Sequence, residues 1–243
     1  MNSPNLKPKI GIVSGVGPLA GSYVLAKVFE HAATVYGAVE DCEYPDVIFV
    51  SHGIEGVDNI GTLSDAFEKE IVSMVKQAEA QGATIIGIAC NTAHAYLDKI
   101  KNKPKTILVN LIDTVAYKAS KHNVKYLLLT SNGSKQQKLY HPYLKKYGVN
   151  FVETSEEMQD ALDSTIGLVM AHKLDEAGRV IERVLSEAET KGSRAIIAGC
   201  TELPIAINHC KNKSNTKIID SSQVLAECLV KSYYQQLNPG GER

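Results

Sequence analysis

The chain contains one structural unit twice, and each copy ends in a cysteine that directly follows a buried strand. Residues 85–88 form a short apolar run followed by Ala89 and Cys90, and residues 195–198 form another followed by Gly199 and Cys200. An amphipathic helical pattern precedes both runs. In open parallel sheets, functional loops lie at the carboxyl ends of strands. We therefore predict two similar lobes whose cysteines face each other across a cleft.

Apolar periodicity predicts an α/β fold with mostly parallel sheets. Short, nearly continuous apolar runs are typical of strands that are buried on both faces. Amphipathic helical patterns start at Leu63 and Leu174 and alternate with these runs, as expected for this fold class. The predicted strands are residues 10–13, 47–50, 85–88, 107–109, 126–129 and 195–198.

The repeat also predicts how the chain is divided. We expect a first lobe of residues 1–113 plus 214–243, which carries Cys90, and a second lobe of residues 114–213, which carries Cys200. The tail contains a short apolar run at 218–219 and a helical pattern. Both are expected to return to the first lobe.

Composition excludes several classes of function. The net charge is -1, with 44% hydrophobic and 22% charged residues, so neither nucleic acid nor a membrane is an expected partner. The N-terminus shows no secretory signal, which predicts a cytoplasmic protein. The five cysteines form no C-x-x-C pair and the histidines no H-E-x-x-H spacing, so we expect neither disulfides nor a metal site.

Two opposed cysteines suit racemisation, in which a proton leaves one face of a carbon and another arrives at the opposite face. Each cysteine precedes a predicted helix start, at Asn91-Thr92 and at Thr201, where backbone N–H groups favour an anion. The same groups can bind a substrate carboxylate. No P-loop is present, and Gly15-x-Gly17 lacks the third glycine of a dinucleotide fingerprint, so no cofactor is expected.

Residues 15–18, 90–94 and 199–204 resemble the motifs of the aspartate/glutamate racemase superfamily. Glutamate racemases carry His where Glu202 stands, so the resemblance favours the aspartate racemase branch. It implies two pseudo-symmetric flavodoxin-like lobes, a homodimer, no pyridoxal phosphate and no metal. It also implies that Cys90 and Cys200 are the two catalytic bases.

The resemblance further implies that Asn91, Thr92 and Thr201 hold the α-carboxylate, that the turn at residues 130–134 completes this pocket, and that Glu202 lies beside Cys200 or the substrate ammonium. The complete set of candidate substrate-binding residues is Ser14, Val16, Ser51, His52, Asn91, Thr92, Thr130, Ser131, Ser134, Thr201 and Glu202.

Several positions depart from the family pattern. Val16 replaces a Met and Gly21 a Thr, and Gln159-Asp160 stand where the family tends to have Lys. The loop at residues 51–59 lacks the usual Arg, and no Lys or Arg occurs between Lys27 and Lys69. An acidic substrate would therefore need His52 or backbone donors, and a neutral amino acid is the alternative.

Three other functions remain open at this stage. The first is another reaction of the same fold, such as hydantoin racemisation or a maleate-type isomerisation or decarboxylation. The second is a small-molecule binding protein without turnover. The third is a thiol hydrolase in which His94 serves Cys90 as base.

Overall fold

The computed structural model describes residues 7–54, 64–100, 106–190, 193, 195–212 and 216–238. Within these residues, eight strands form two four-stranded sheets that are parallel throughout. The strands are β1 (Lys9–Ser14), β2 (Asp46–Ser51), β3 (Ile85–Ile88), β4 (Ile107–Leu108), β5 (Tyr126–Thr130), β6 (Phe151–Glu153), β7 (Ala195–Gly199) and β8 (Lys217–Asp220).

Helices connect the strands, as parallel pairing requires. The described α-helices are α1 (Pro18–Tyr36), α2 (Asp65–Ala80), α3 (Leu97–Ile100), α4 (Leu111–Ala119), α5 (Asn132–Gln136), α6 (His141–Lys146), α7 (Glu156–Met170), α8 (Leu174–Thr190), α9 (Leu203–Asn208) and α10 (Ser221–Leu237). Short 3₁₀ helices cover Asp41–Glu43 and Thr92–Tyr96.

The two sheets have the same topology. The first has the order β2-β1-β3-β4 and the second the order β6-β5-β7-β8. Strands β3 and β7 therefore occupy equivalent positions, and each is followed by one of the two cysteines. The predicted repeat and the two-lobed α/β fold are confirmed.

Successive residues of a strand face opposite sides of its sheet, and the core is accordingly divided into three clusters. Ile12 on β1 and Ile197 on β7 belong to one shared cluster, which also contains buried residues of α1, α4 and α10. Ile86 on β3 packs in an outer cluster with α2, whereas Ile196 on β7 packs in another with α7 and α8. The two halves are therefore joined by a common hydrophobic core, which fixes the edges of the sheets relative to each other.

The tail was expected to return to the first lobe, and this prediction is wrong for its strand but right for its helix. Strand β8 pairs in parallel with β7, in register Ala195 with Lys217, and so completes the second sheet. This pairing repeats that of β4 with β3 in the first sheet. Helix α10 does pack on α1 and β3 of the first half. The predicted division at residues 113–114 falls within α4, and the lobe boundaries stay a prediction.

Candidate active site

Cys90 lies two residues beyond β3, in a turn that the neighbouring strand fixes. The N–H of Ala89 donates to the carbonyl oxygen of Val13 at 2.8 Å. The 3₁₀ helix then starts at Thr92. Cys90 is buried, with 8% of its surface exposed.

His94 stabilises this turn and does not serve as a base for the thiol. Leu111 N–H donates to His94 Nε2 at 3.1 Å, and His94 Nδ1 lies 2.8 Å from the carbonyl oxygen of Cys90. Because Nε2 accepts, Nδ1 carries the hydrogen and donates. Burial lowers the pKa of His94, so the ring stays neutral. With both ring nitrogens bound to the backbone, the hydrolase alternative loses its base.

Cys200 occupies the equivalent position after β7 and contacts a buried carboxyl group. Its Sγ donates to Glu202 Oε2 at 3.0 Å. The Thr201 hydroxyl lies 3.2 Å from the same oxygen and 3.4 Å from the carbonyl oxygen of Ala89. Thr201 thus reaches from the second cysteine turn to the residue that precedes Cys90, and the two turns are in direct contact.

The expected N-cap position was right for the first turn, where Asn91 is the N-cap of the 3₁₀ helix, and wrong for the second. Glu202, not Thr201, occupies the N-cap position of α9, and neither it nor Asn91 makes a side-chain cap hydrogen bond. The Asn91 side chain instead bonds outside its own turn. The Asn91 amide donates to Ser221 Oγ at 3.2 Å, at the start of α10.

Burial dominates the electrostatics of the two thiols. It raises the pKa of Cys90 to about 12, with a further upward contribution from Glu202 that is larger than the lowering by either N–H group, that of Ala93 or that of Thr92. Burial and then Glu202 raise the pKa of Cys200 well above its ordinary value, and the charge of Cys90 adds to this. Donors at the turns are present as expected, but their effect is smaller than the desolvation. Glu202 contributes to the upward shift of both thiol pKa values, so one buried carboxyl group acts on both cysteines.

Three hydroxyl groups form a cluster beside Cys90. Thr92 Oγ1 lies 3.0 Å from Ser131 Oγ and 3.0 Å from Ser134 Oγ, and the two serines are 3.2 Å apart. Ser131 is the N-cap of α5, so this cluster lies at a helix start that follows β5. Hydroxyl groups whose hydrogens can rotate are suitable donors for a carboxylate. The structure thus brings these three predicted site residues into contact, and their role in substrate binding stays a prediction.

The Gly15-Val16-Gly17 turn brings the first half against Glu202. Gly17 has a φ of 76°, in the left-handed region that favours glycine. A Cβ atom there would lie 2.0 Å from Glu202 Oε1. The Gly17 backbone therefore forms one side of the pocket that holds the carboxyl group. Val16 is partly buried against the outer cluster of the first half.

Other predicted site residues have different surroundings. Ser14 Oγ is buried and has no hydrogen-bond partner among the described residues, and a Cβ atom on Gly21 would lie 1.9 Å from it, so this hydroxyl packs against α1. The His52 side chain, 41% exposed, lies 3.9 Å from Glu70 on α2. Ser51 is exposed at the end of β2. Positions 55–59, in the loop that lacks the usual Arg of the family, lie outside the described residues.

Thr130 contributes its backbone to a separate network. Its carbonyl oxygen accepts from Gln159 Nε2 at 3.0 Å, while Gln159 also bonds to Asp163 at 3.2 Å and to Thr154 at 2.9 Å. Gln159 is thereby committed to supporting the end of β5.

Sequence reasoning did not include Tyr140 in the site. Its hydroxyl donates to Asn91 Oδ1 at 2.6 Å, and its ring packs over Gly199, the residue before Cys200. The signal available in the sequence was weak, because an isolated Tyr after a turn is more often a packing residue. Ser221 was missed for a similar reason.

These contacts bring both repeated turns, a hydroxyl cluster and one buried acid into a single site. A family model described as Asp/Glu/Hydantoin racemase matches residues 13–229, which include both cysteine turns. The chain belongs to this family. It is therefore an isomerase of the amino-acid racemase type, and the recognition of the superfamily from its motifs is confirmed.

Individual relatives agree with this assignment. The chain is 25% identical over 224 residues to the broad specificity amino-acid racemase RacX of Bacillus subtilis (strain 168), covering 92% of this chain and 97% of that protein. An aspartate racemase of Picrophilus torridus has a TM-score of 0.80 at 28% identity, covering 93% of this chain and 94% of that one. An aspartate racemase homologue from Pyrococcus horikoshii OT3 has a TM-score of 0.73 at 26% identity, with 93% and 99% covered.

The described residues also bear on the expected partners. No helix among them is long and apolar enough to cross a membrane. Across the same residues, no group of His, Cys, Asp and Glu side chains could hold a metal ion.

Proposed function

We propose that the protein racemises a free α-amino acid by a two-base mechanism without a cofactor. In one direction the Cys90 thiolate removes the α-proton from one face while the Cys200 thiol delivers its proton to the other face. The sulfurs exchange protonation states, so the reverse reaction starts with the thiolate on Cys200. The observation that carries the proposal is the pair of buried cysteines at equivalent strand ends, in two turns that the hydrogen bond from Thr201 to the Ala89 carbonyl oxygen joins.

The polar groups around the sulfurs suggest how the substrate binds. The hydroxyl groups of Thr92, Ser131 and Ser134 and the second amide hydrogen of Asn91 would donate to the α-carboxylate. Charge that develops at the α-carbon spreads into this carboxylate, so donors held in place stabilise the transition state. The buried carboxyl group of Glu202 would face the α-ammonium, because buried charges are normally paired.

This arrangement supplies a physical reason for a thiol to ionise only when substrate is bound. The Glu202 charge raises the pKa of both cysteines. An ammonium group next to Glu202 would offset that charge, and it would also lower the pKa of the nearby thiols by direct attraction. The resting enzyme would thus keep both thiols protonated and protected from oxidation, which requires thiolate.

An uncharged substrate side chain fits the available residues better than an acidic one. The stretch from residue 28 to residue 68 contains neither Lys nor Arg, and Gln159 is occupied by its own hydrogen bonds. An unpaired buried carboxylate would cost several kcal/mol. Aspartate is the second candidate, favoured by the likeness to the Picrophilus torridus aspartate racemase. The homodimer and the cytoplasmic location stay predictions.

The decisive experiment is a cofactor-free screen of single enantiomers by chiral chromatography, with aspartate, glutamate and uncharged amino acids as separate arms. In D₂O at early times, a two-base reaction gives product that carries deuterium at the α-carbon, while the remaining substrate keeps protium. Decarboxylation would instead consume the amino acid, and a binding protein would leave every enantiomer unchanged.

Variants test the two bases directly. Cys90→Ala and Cys200→Ala should each abolish racemisation in both directions. Cys210→Ala is the matched control, since this partly buried thiol contacts the carbonyl oxygen of Gly178, away from the two turns. Retained turnover in the Cys200→Ala protein would contradict the two-base scheme.

A further inference from the structure

Tyr140 connects the two cysteine turns through one short hydrogen bond. The residue lies just before α6, in the half of the chain that carries Cys200, and is 1% exposed. Its hydroxyl donates to Asn91 Oδ1 at 2.6 Å, and Asn91 directly follows Cys90. On the other side of the amide, Nδ2 donates to Ser221 Oγ at 3.2 Å. Asn91 itself is 2% exposed, so its amide is held from two sides inside the protein.

The tyrosine ring is fixed by the second turn. A Cβ atom on Gly199 would lie 2.8 Å from Tyr140 Cε2, so glycine allows the ring to pack directly on the backbone before Cys200. Burial, followed by the charge of Cys200, raises the pKa of the Tyr140 hydroxyl, which therefore remains a hydrogen-bond donor. The ring packs on the Cys200 turn while its hydroxyl bonds to the Cys90 turn. Tyr140 therefore fixes the two turns relative to each other.

The hydrogen bond also determines which way the amide faces. A buried hydroxyl proton needs an acceptor, and among the described residues the hydrogen bond of Tyr140 goes to Asn91 Oδ1. The Ser221 hydroxyl can donate or accept and would fit either amide orientation. With Oδ1 assigned to Tyr140, Nδ2 faces Ser221 with one hydrogen and keeps a second hydrogen for another acceptor.

We propose that Tyr140 is a positioning residue that orients the Asn91 amide to donate to the substrate carboxylate. This inference rests on the proposed function, in which Asn91 contributes to the carboxylate site. Tyr140 itself does not contact the reacting carbon. Its hydroxyl occupies Oδ1 of Asn91, so that Nδ2 is the atom that can donate to the substrate. Its ring packs on the backbone before Cys200, so the orientation of the amide depends on the position of that turn.

The test uses Tyr140→Phe, which keeps the ring on Gly199 and removes only the hydroxyl. Isothermal titration with racemic methionine and with racemic aspartate gives a Kd at chemical equilibrium, independent of turnover. We expect Kd to rise by about five- to tenfold, the effect of losing one neutral hydrogen bond, and kcat to fall as well, because the same donor stabilises the transition state.

A double-mutant cycle separates positioning from general structural damage. If Tyr140 acts through Asn91, adding Tyr140→Phe to Asn91→Ala should cause no further rise in Kd. Tyr126→Phe is the matched control, because it also removes one buried hydroxyl hydrogen bond, 3.3 Å to Ala119, at the far end of β5. That control should lower the melting temperature without changing Kd.

The outcomes distinguish this inference from the proposed function. Independent, multiplicative effects on Kd in the double variant, an unchanged Kd in Tyr140→Phe, or no binding of either amino acid would overturn the role of Tyr140. Active wild-type protein together with an unchanged Kd in Tyr140→Phe leaves the racemase function standing. Binding that weakens as expected in a protein without turnover supports Tyr140 and refutes racemisation of these amino acids.

Discussion

Gly17→Ala should damage catalysis more than its effect on folding would suggest. At a φ of 76°, an alanine costs roughly 1–2 kcal/mol of folding free energy. For a chain of this size this lowers the melting temperature by about 2–8 °C. In addition, the new Cβ atom would lie 2.0 Å from Glu202 Oε1. The carboxyl group must move, and we expect this movement to disrupt the hydrogen bond that its other oxygen, Oε2, accepts from Cys200.

The size of the activity loss follows from that hydrogen bond. A hydrogen bond to a charged group contributes about 1.5–3 kcal/mol. If this bond sets the geometry of the second base, its loss lowers kcat by about 10- to 100-fold. The loss should appear at temperatures where the variant is still fully folded.

Gly37→Ala provides the matched control. Gly37 has a φ of 74°, and in the described part of the chain a Cβ atom there would have no atom within 4 Å apart from its chain neighbours. Both variants should therefore lose similar stability in thermal unfolding, while only Gly17→Ala loses activity in the chiral assay. Equal activity of the two variants at equal folded fractions would refute the claim that Gly17 makes room for Glu202.

Three more predictions concern pH and packing. Glu202→Gln removes a charge that raises both thiol pKa values, so the alkaline limb of a kcat/KM profile should move to lower pH; a shift to higher pH would contradict this. Between the ordinary thiol pKa of 9.0 and the raised value of about 12, unfolded chains lose the Cys90 proton and folded chains keep it. The free energy of unfolding that is present below pH 9 should therefore fall as pH rises through this window. Urea unfolding should show a steeper fall than in the Cys90→Ala protein. Gly21→Ala places a Cβ atom 1.9 Å from Ser14 Oγ and should cost about 1–3 kcal/mol, which the added Ser14→Gly should largely restore; additive losses would exclude a direct clash.

Much of the fold could be predicted because the pattern is repeated. The run at residues 85–88 and that at 195–198 are both buried strands at equivalent sheet positions, and each predicts the other. Strand β6 was not predicted, since its three residues, Phe151–Glu153, are only partly buried or exposed and have no clear apolar pattern. The partner of β8 also could not be read from its apolar residues, because either sheet could have accepted them.

The sequence predicts which residues form the site better than it predicts the contacts between them. Cys90, Cys200 and the hydroxyl cluster follow from their positions at strand ends. Thr201 was expected to cap a helix, a local interaction, yet its hydroxyl reaches Ala89 in the other half of the molecule. Such contacts depend on how the halves pack. The upward pKa shifts have the same origin, because burial by distant residues outweighs the local N–H donors.

The two halves match in topology but not in chemistry, and this difference has a kinetic consequence. Thr92 stands two residues after Cys90, whereas the acid Glu202 stands two residues after Cys200. Enantiomers are equal in free energy, so a racemase must have the same kcat/KM for both hands. The unequal surroundings of the two cysteines can therefore change the individual values of kcat and KM but not their ratio. Any difference in kcat between the enantiomers is matched by the same factor in KM. An altered Glu202 can change that factor but can never favour one hand at equilibrium.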